Sequence, residues 1–191
     1  MLLPSLLPEK TNEEKRMKKI GLALLGLLML LPYIACADDR ALLVVAEMIE
    51  INAKPADVWK LVKRFDGLKD WHPAFAKSDI IKGKDGQPGA VRALTVKDGP
   101  TFTEELLAIN DSAMVLTYDI IESPLPIDHY VSSITVKPNG AGGSTVTWIG
   151  TFVRKNPRDN LPEAESDAGA VKFITGAYAG GLQALKQVME K

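Results

Sequence analysis

The end of this 191-residue chain limits its fold more than any other stretch. Between Ala164 and Met189, the residues Val171, Ile174, Tyr178, Leu182, Leu185 and Met189 recur at steps of three and four. That spacing sets them on one face of an α-helix. Lys172, Gln183, Lys186, Gln187 and Glu190 fall mostly on the other side and meet water. A long helix with one apolar side has to bury that side, and the β-like segments before it offer the surface. Gly176, Gly180 and Gly181 interrupt the pattern, each at about 1 kcal/mol relative to Ala. Two explanations fit them: close backbone packing against a sheet, or room left under the helix for a ligand.

The preceding segments are short. Leu42 to Ile51 reads as a first strand. Asn52-Ala53-Lys54-Pro55 turns into a helix whose stripe is Val58, Trp59, Leu61, Val62 and Phe65, with Gly67 as its stop. Gly67 to Pro73 forms a second short helix or a loop closing on Trp71-His72-Pro73. Strands are predicted over 76–82, 91–97, 101–109, 113–122, 129–137 and 144–153. Asp98-Gly99 marks a hairpin, and Ser123-Pro124-Leu125-Pro126 a rigid link outside any central strand. In the last strand Val146, Trp148, Gly150 and Phe152 share one face. The expected class is α+β: a curved antiparallel sheet of about seven strands wrapped around the C-terminal helix, with two short helices after strand 1.

The front of the chain has a different character. Met17-Lys18-Lys19, the apolar run Ile20 to Leu31, Pro32 and Ala35-Cys36-Ala37 follow the order of a secretory signal with its cleavage site. The apolar run is short for a membrane span. Residues 1–37 are therefore expected to be a signal peptide, with 17–37 as the true signal and 1–16 as a start-site artefact, and 38–191 to be one domain. Cys36, the only cysteine, would leave with the signal; the alternative is a lipid anchor on it. Either route places the protein outside the cytoplasm, periplasmic or secreted. Removing five basic and three acidic residues takes the net charge from −1 to about −3, which gives no footprint for nucleic acid.

A series of residues resembles a known superfamily. Pro55-Ala56-Asp57-Val58-Trp59, Phe65-Asp66 and Trp71-His72-Pro73 open it. Gly89-Ala90-Val91-Arg92, Glu104 with Leu106, Tyr118, Pro124-Leu125-Pro126, Tyr130 and Trp148 continue it. The series resembles the START-like SRPBCC superfamily, in its bacterial polyketide cyclase/dehydrase-like branch. The resemblance implies a helix-grip fold with a hydrophobic pocket under the C-terminal helix, as in plant abscisic-acid receptors and pollen allergens. Some relatives cyclise or dehydrate polyketides. Exported MxaD-like members are thought to help methanol dehydrogenase pass electrons to cytochrome c.

Few residues could carry chemistry. His72 and His129 are the only histidines, and either, with a tyrosine, is a candidate general acid or base. Each could equally be a loop histidine bonded to backbone, or part of a gate. Metal, nucleotide and haem motifs are missing from the sequence, so no cofactor is expected. Arg92 faces Glu104 across the Asp98-Gly99 turn if the loop has three residues, and Glu105 if it has two. The pair is either an exposed cross-strand ion pair or a polar anchor at a pocket floor. Tyr118, Tyr130, Trp148, Phe152, Phe173 and Tyr178 are core or pocket lining, with Trp71 and His72 at the mouth. Asp119, on the strand face opposite Tyr118, is expected to be solvated. Three functions follow: a carrier of a small hydrophobic molecule, an accessory protein docking on a periplasmic dehydrogenase or cytochrome c, or a cyclase or dehydratase.

Overall fold

The computed structural model describes residues 39–191, of which Arg40–Lys191 form one compact unit. The signal-peptide reading of residues 1–37, with its alternative at Cys36, lies outside the described residues. The order is β1 (Leu43–Ile51), α1 (Pro55–Val62), a 3₁₀ turn (Phe65–Asp70), β2 (Phe75–Lys82), β3 (Val91–Val96), β4 (Thr101–Asn110), β5 (Val115–Glu122), β6 (Ile127–Pro138), β7 (Ser144–Arg154), a second 3₁₀ turn (Glu163–Glu165) and α2 (Asp167–Met189). The seven strands form one antiparallel sheet in the order β1-β7-β6-β5-β4-β3-β2. It is a meander from β2 to β7, with β1 paired to the last strand. This is the helix-grip architecture expected from the sequence.

Alternation sorts the strands into an inner and an outer face. Leu94, Phe102, Leu106, Tyr118, Ile134, Val146, Trp148 and Phe152 are buried on the inner face. Ile174, Tyr178, Leu182 and Leu185 of α2 are buried against that face, and Val171 and Met189 are partly buried. Register slips in β2, in β4 and between Asp128 and Val131 of β6 add residues to one side of the ladder. Such bulges bend strands and increase their twist, which curls the sheet toward the helix.

Two boundaries differ from expectation. The first helix ends at Val62, not at Phe65 or Gly67. Arg64 is extended, and Phe65 begins the 3₁₀ turn with Gly67 buried inside it. α2 starts at Asp167, because Ser166 caps it and the Gly169 N–H donates to Ser166 Oγ at 3.2 Å. Ala164 belongs to the preceding 3₁₀ turn.

Candidate functional site

The inner face and α2 do not close completely. Between them lies a cavity of about 260 Å³, just below the ~300–1,000 Å³ usual for ligand pockets. Its walls are almost wholly apolar. Leu68, Ala74 and Phe75 come from the chain around the first turn, and Val96, Phe102, Ile120, Leu125 and Ile127 from the sheet and its links. Phe173, Ile174, Ala177 and Tyr178 come from α2. The polar lining side chains are His72, Glu104, Tyr118, Tyr130, Trp148 and Tyr178.

His72 joins the loop to the helix. Its Nδ1 accepts the Ala74 N–H at 3.2 Å, so Nε2 carries the proton and donates to the Ala177 carbonyl at 3.0 Å. Burial pulls its pKa down to about 4, so the ring is neutral at physiological pH. Both nitrogens are committed to backbone, which is the loop-histidine reading. Gly181 allows the contact: a β-carbon there would stand 2.7 Å from His72 Nε2 and 3.0 Å from the Trp148 ring. Gly176 and Gly180 face open space. Of the two explanations for the helical glycines, close packing holds at Gly181, and it is against a side chain, not sheet backbone.

Tyr118, Tyr130 and Tyr178 form one connected cluster. Tyr130 Oη lies 2.6 Å from Tyr178 Oη and 3.4 Å from Tyr118 Oη. Ser132 Oγ sits 2.9 Å from Tyr178 Oη and donates to the Ile149 carbonyl at 2.9 Å. Trp148 Nε1 donates to Tyr118 Oη and Ser132 Oγ, each at 3.0 Å, and its ring stacks on Tyr178 with centroids 4.5 Å apart. Burial pushes the Tyr118 and Tyr130 phenols up, and Tyr178 up to about 12. All three stay protonated near neutrality. Ser132 was not among the residues singled out from the sequence. Its signal was there: a serine between Tyr130 and Ile134 on the buried face of β6.

Arg92 pairs with Glu104, across a three-residue loop that places Thr95 opposite Thr101. Both side chains point inward, each 4% exposed. Arg92 Nε and Nη2 reach Glu104 Oε2 at 2.7 and 2.5 Å, and Nη1 donates to the Phe65 carbonyl at 2.6 Å. The guanidinium lies 4.0 Å from the Phe65 ring centre. Burial raises the Glu104 carboxyl above the ordinary range, and the Arg92 charge opposes that rise. An always-charged guanidinium left beside a neutral carboxyl would be an unpaired buried cation, so the pair is ionic at neutral pH.

Four residues expected at the pocket lie elsewhere. Trp71 is core, edge-on to Trp148 with centroids 5.8 Å apart. Arg92 sits behind Glu104 and Phe152 is sealed in the core beside Tyr130; neither lines the cavity. His129, at φ 50° in the β6 irregularity, has its side chain 61% exposed and also does not line the cavity. Phe173 does line it, though the residue is 42% exposed and stands off the apolar stripe. Asp119 is not simply solvated. It is half-buried, and burial, then the nearby Glu105 carboxylate, raises its pKa. Among the described residues no group of three or more His, Cys, Asp or Glu side chains could hold a metal ion. No described helix is long and apolar enough to cross a membrane.

Comparison with known proteins places this geometry. The protein XoxI from Bacillus cereus is 34% identical, with a TM-score of 0.66 over 76% of this chain and 94% of that one. The aromatase/cyclase ZhuI from Streptomyces sp. R1128 is 18% identical with a TM-score of 0.65, covering 78% of this chain and 94% of that one, and shares the fold. Abscisic acid receptor PYL7 of Arabidopsis thaliana is 26% identical over 159 residues, 82% of this chain and 72% of the receptor. Residues 43–190 match the sequence profile described as "Polyketide cyclase / dehydrase and lipid transport". The chain thus belongs to that polyketide cyclase/dehydrase family of the START-like SRPBCC superfamily.

Proposed function

We propose that this protein is exported and carries a small hydrophobic ligand between its sheet and α2 without turning it over. The observation behind this is the cavity itself. It holds about 260 Å³ between apolar walls, and its hydroxyls gather in one cluster. Apolar walls with a few placed polar groups bind and orient a small molecule. His72, the candidate acid or base at the cavity, has both nitrogens bonded to backbone, which favours binding over turnover. The test is uptake of a solvatochromic naphthalene dye, with Ala177→Leu filling the cavity from α2. Dye binding that disappears in the variant supports the carrier. Equal binding by both proteins places the dye elsewhere and counts against it. Export is tested by the mass of the protein recovered from outside the cytoplasm, expected to begin at Asp38 or at a lipidated Cys36.

The second reading is MxaD-like docking on a periplasmic dehydrogenase or cytochrome c. It has one observation in its favour. Exposed Val44, Met48, Val131 and Ile149 lie together on the outer face of β1, β7 and β6, where Val44 and Val131 both neighbour Thr151. Exposed apolar residues grouped on one face mark interaction surfaces. Ile149→Lys would weaken such a complex and spare dye binding.

A further inference from the structure

We infer that the cavity selects ligands that offer a hydrogen-bond donor, a hydroxyl or a protonated amine, over ligands that offer a carboxylate. This rests on the carrier reading above and names the chemistry of the same site.

The inference comes from following the protons. Ser132 Oγ lies 2.9 Å from the Ile149 carbonyl, and a carbonyl can only accept, so the Ser132 proton goes there. Ser132 Oγ is therefore an acceptor toward Tyr178, 2.9 Å away, and the Tyr178 proton is used on it. Tyr178 Oη then accepts from Tyr130 at 2.6 Å. Tyr130 in turn accepts from Tyr118 at 3.4 Å. The indole N–H of Trp148 is shared between Tyr118 and Ser132. Every proton in the cluster has a partner inside it, and the Tyr118 proton, 3.4 Å from Tyr130, is held most loosely. Tyr118, Tyr130 and Tyr178 keep one lone pair each.

The ion pair points the same way. Arg92 directs Nε and Nη2 at Glu104 Oε2 and Nη1 at the Phe65 carbonyl, and its guanidinium lies over the Phe65 ring. Arg92 does not line the cavity; Glu104 does. The cavity therefore meets the negative member of the pair and not the positive one. His72, the remaining polar wall residue, has its only N–H on the Ala177 carbonyl. A carboxylate entering this space finds only the loosely held Tyr118 proton and meets a like charge in apolar surroundings. A hydroxyl or ammonium finds lone pairs and a carboxylate, and an ammonium also gains the ring faces of the wall.

Three ligands with one phenyl ring test this on the unmodified protein: phenethyl alcohol, phenethylamine and phenylacetate, each displacing the naphthalene dye at neutral pH. The alcohol or the amine is expected to displace it at concentrations about tenfold or more below phenylacetate. In Glu104→Gln the amine should lose its lead over phenylacetate, and a lead kept there overturns the inference. Phenylacetate displacing as well as the other two overturns the inference and leaves the carrier intact. Displacement by none of the three also overturns it. Failure of the dye itself to bind overturns the carrier reading, a separate result.

Discussion

The hydroxyl of Tyr178 on α2 occupies the space that a β-carbon on Gly150 of β7 would fill. Gly150 pairs across the sheet with Ser132, whose Oγ bonds that hydroxyl at 2.9 Å. A small residue and a small polar residue side by side make a notch in the sheet, and the helix sets its polar tip there. Gly150→Ala should cost about 1–3 kcal/mol, the usual range for overpacking. Tyr178→Phe removes the hydroxyl, and the nearest remaining ring atom, Cζ, is 3.3 Å from the added carbon. The Gly150→Ala cost should therefore shrink in the Tyr178→Phe background. Urea unfolding of the four proteins of this cycle measures the coupling; simple additivity would refute the contact.

The helical glycines should divide. Gly181→Ala drives a β-carbon into the His72 ring and the edge of Trp148, and should destabilise. Gly176→Ala and Gly180→Ala meet nothing within 4 Å, and each should stabilise by about 0.5–1 kcal/mol through helix propensity. Thermal midpoints of the three variants decide it. A uniform loss at all three positions would contradict the helix placement.

His72 gives the fold a pH dependence. Its pKa is about 4 folded against 6.5 in the unfolded chain, so the unfolded state binds the extra proton between those values. Stability should therefore fall as pH drops from about 6.5 toward 4, by up to about 3 kcal/mol from this group. Above that window the contribution is constant. The difference between the parent and His72→Gln isolates it, because the carboxylates titrate in both. Parallel stability curves for the two proteins between pH 4 and 6.5 would show that the ring is not buried neutral.

Removing one member of the Arg92–Glu104 pair should be worse than removing both. Glu104→Ala leaves a buried cation with only the Phe65 carbonyl and ring faces, at a cost of about 3–5 kcal/mol. The double variant Arg92→Met, Glu104→Leu has no stranded charge and should be the more stable of the two. Denaturant midpoints give the order.

Much of this architecture was legible in the residues. The three-and-four spacing from Val171 to Met189 specified α2, and alternation in β7 put Trp148 and Phe152 on the buried face. Less visible was anything that depends on register. Whether Arg92 meets Glu104 or Glu105 turned on one residue of loop length, settled where Val96 N–H bonds the Pro100 carbonyl. Whether the pair lined the cavity depended on depth along the strand, which alternation does not encode. Ser132 and Gly150 look unremarkable singly; only the β6–β7 pairing shows that they share a notch. His129 had the right residue type for chemistry, but it follows a link on an irregular stretch of strand and falls outside the cavity.

Native mass spectrometry of the protein recovered from its own compartment tests the carrier most directly. The parent is expected to carry an added small mass that extracts into organic solvent, and Ala177→Leu is expected to lose it. A bare polypeptide mass from the parent, with no dye uptake after purification, would contradict the account.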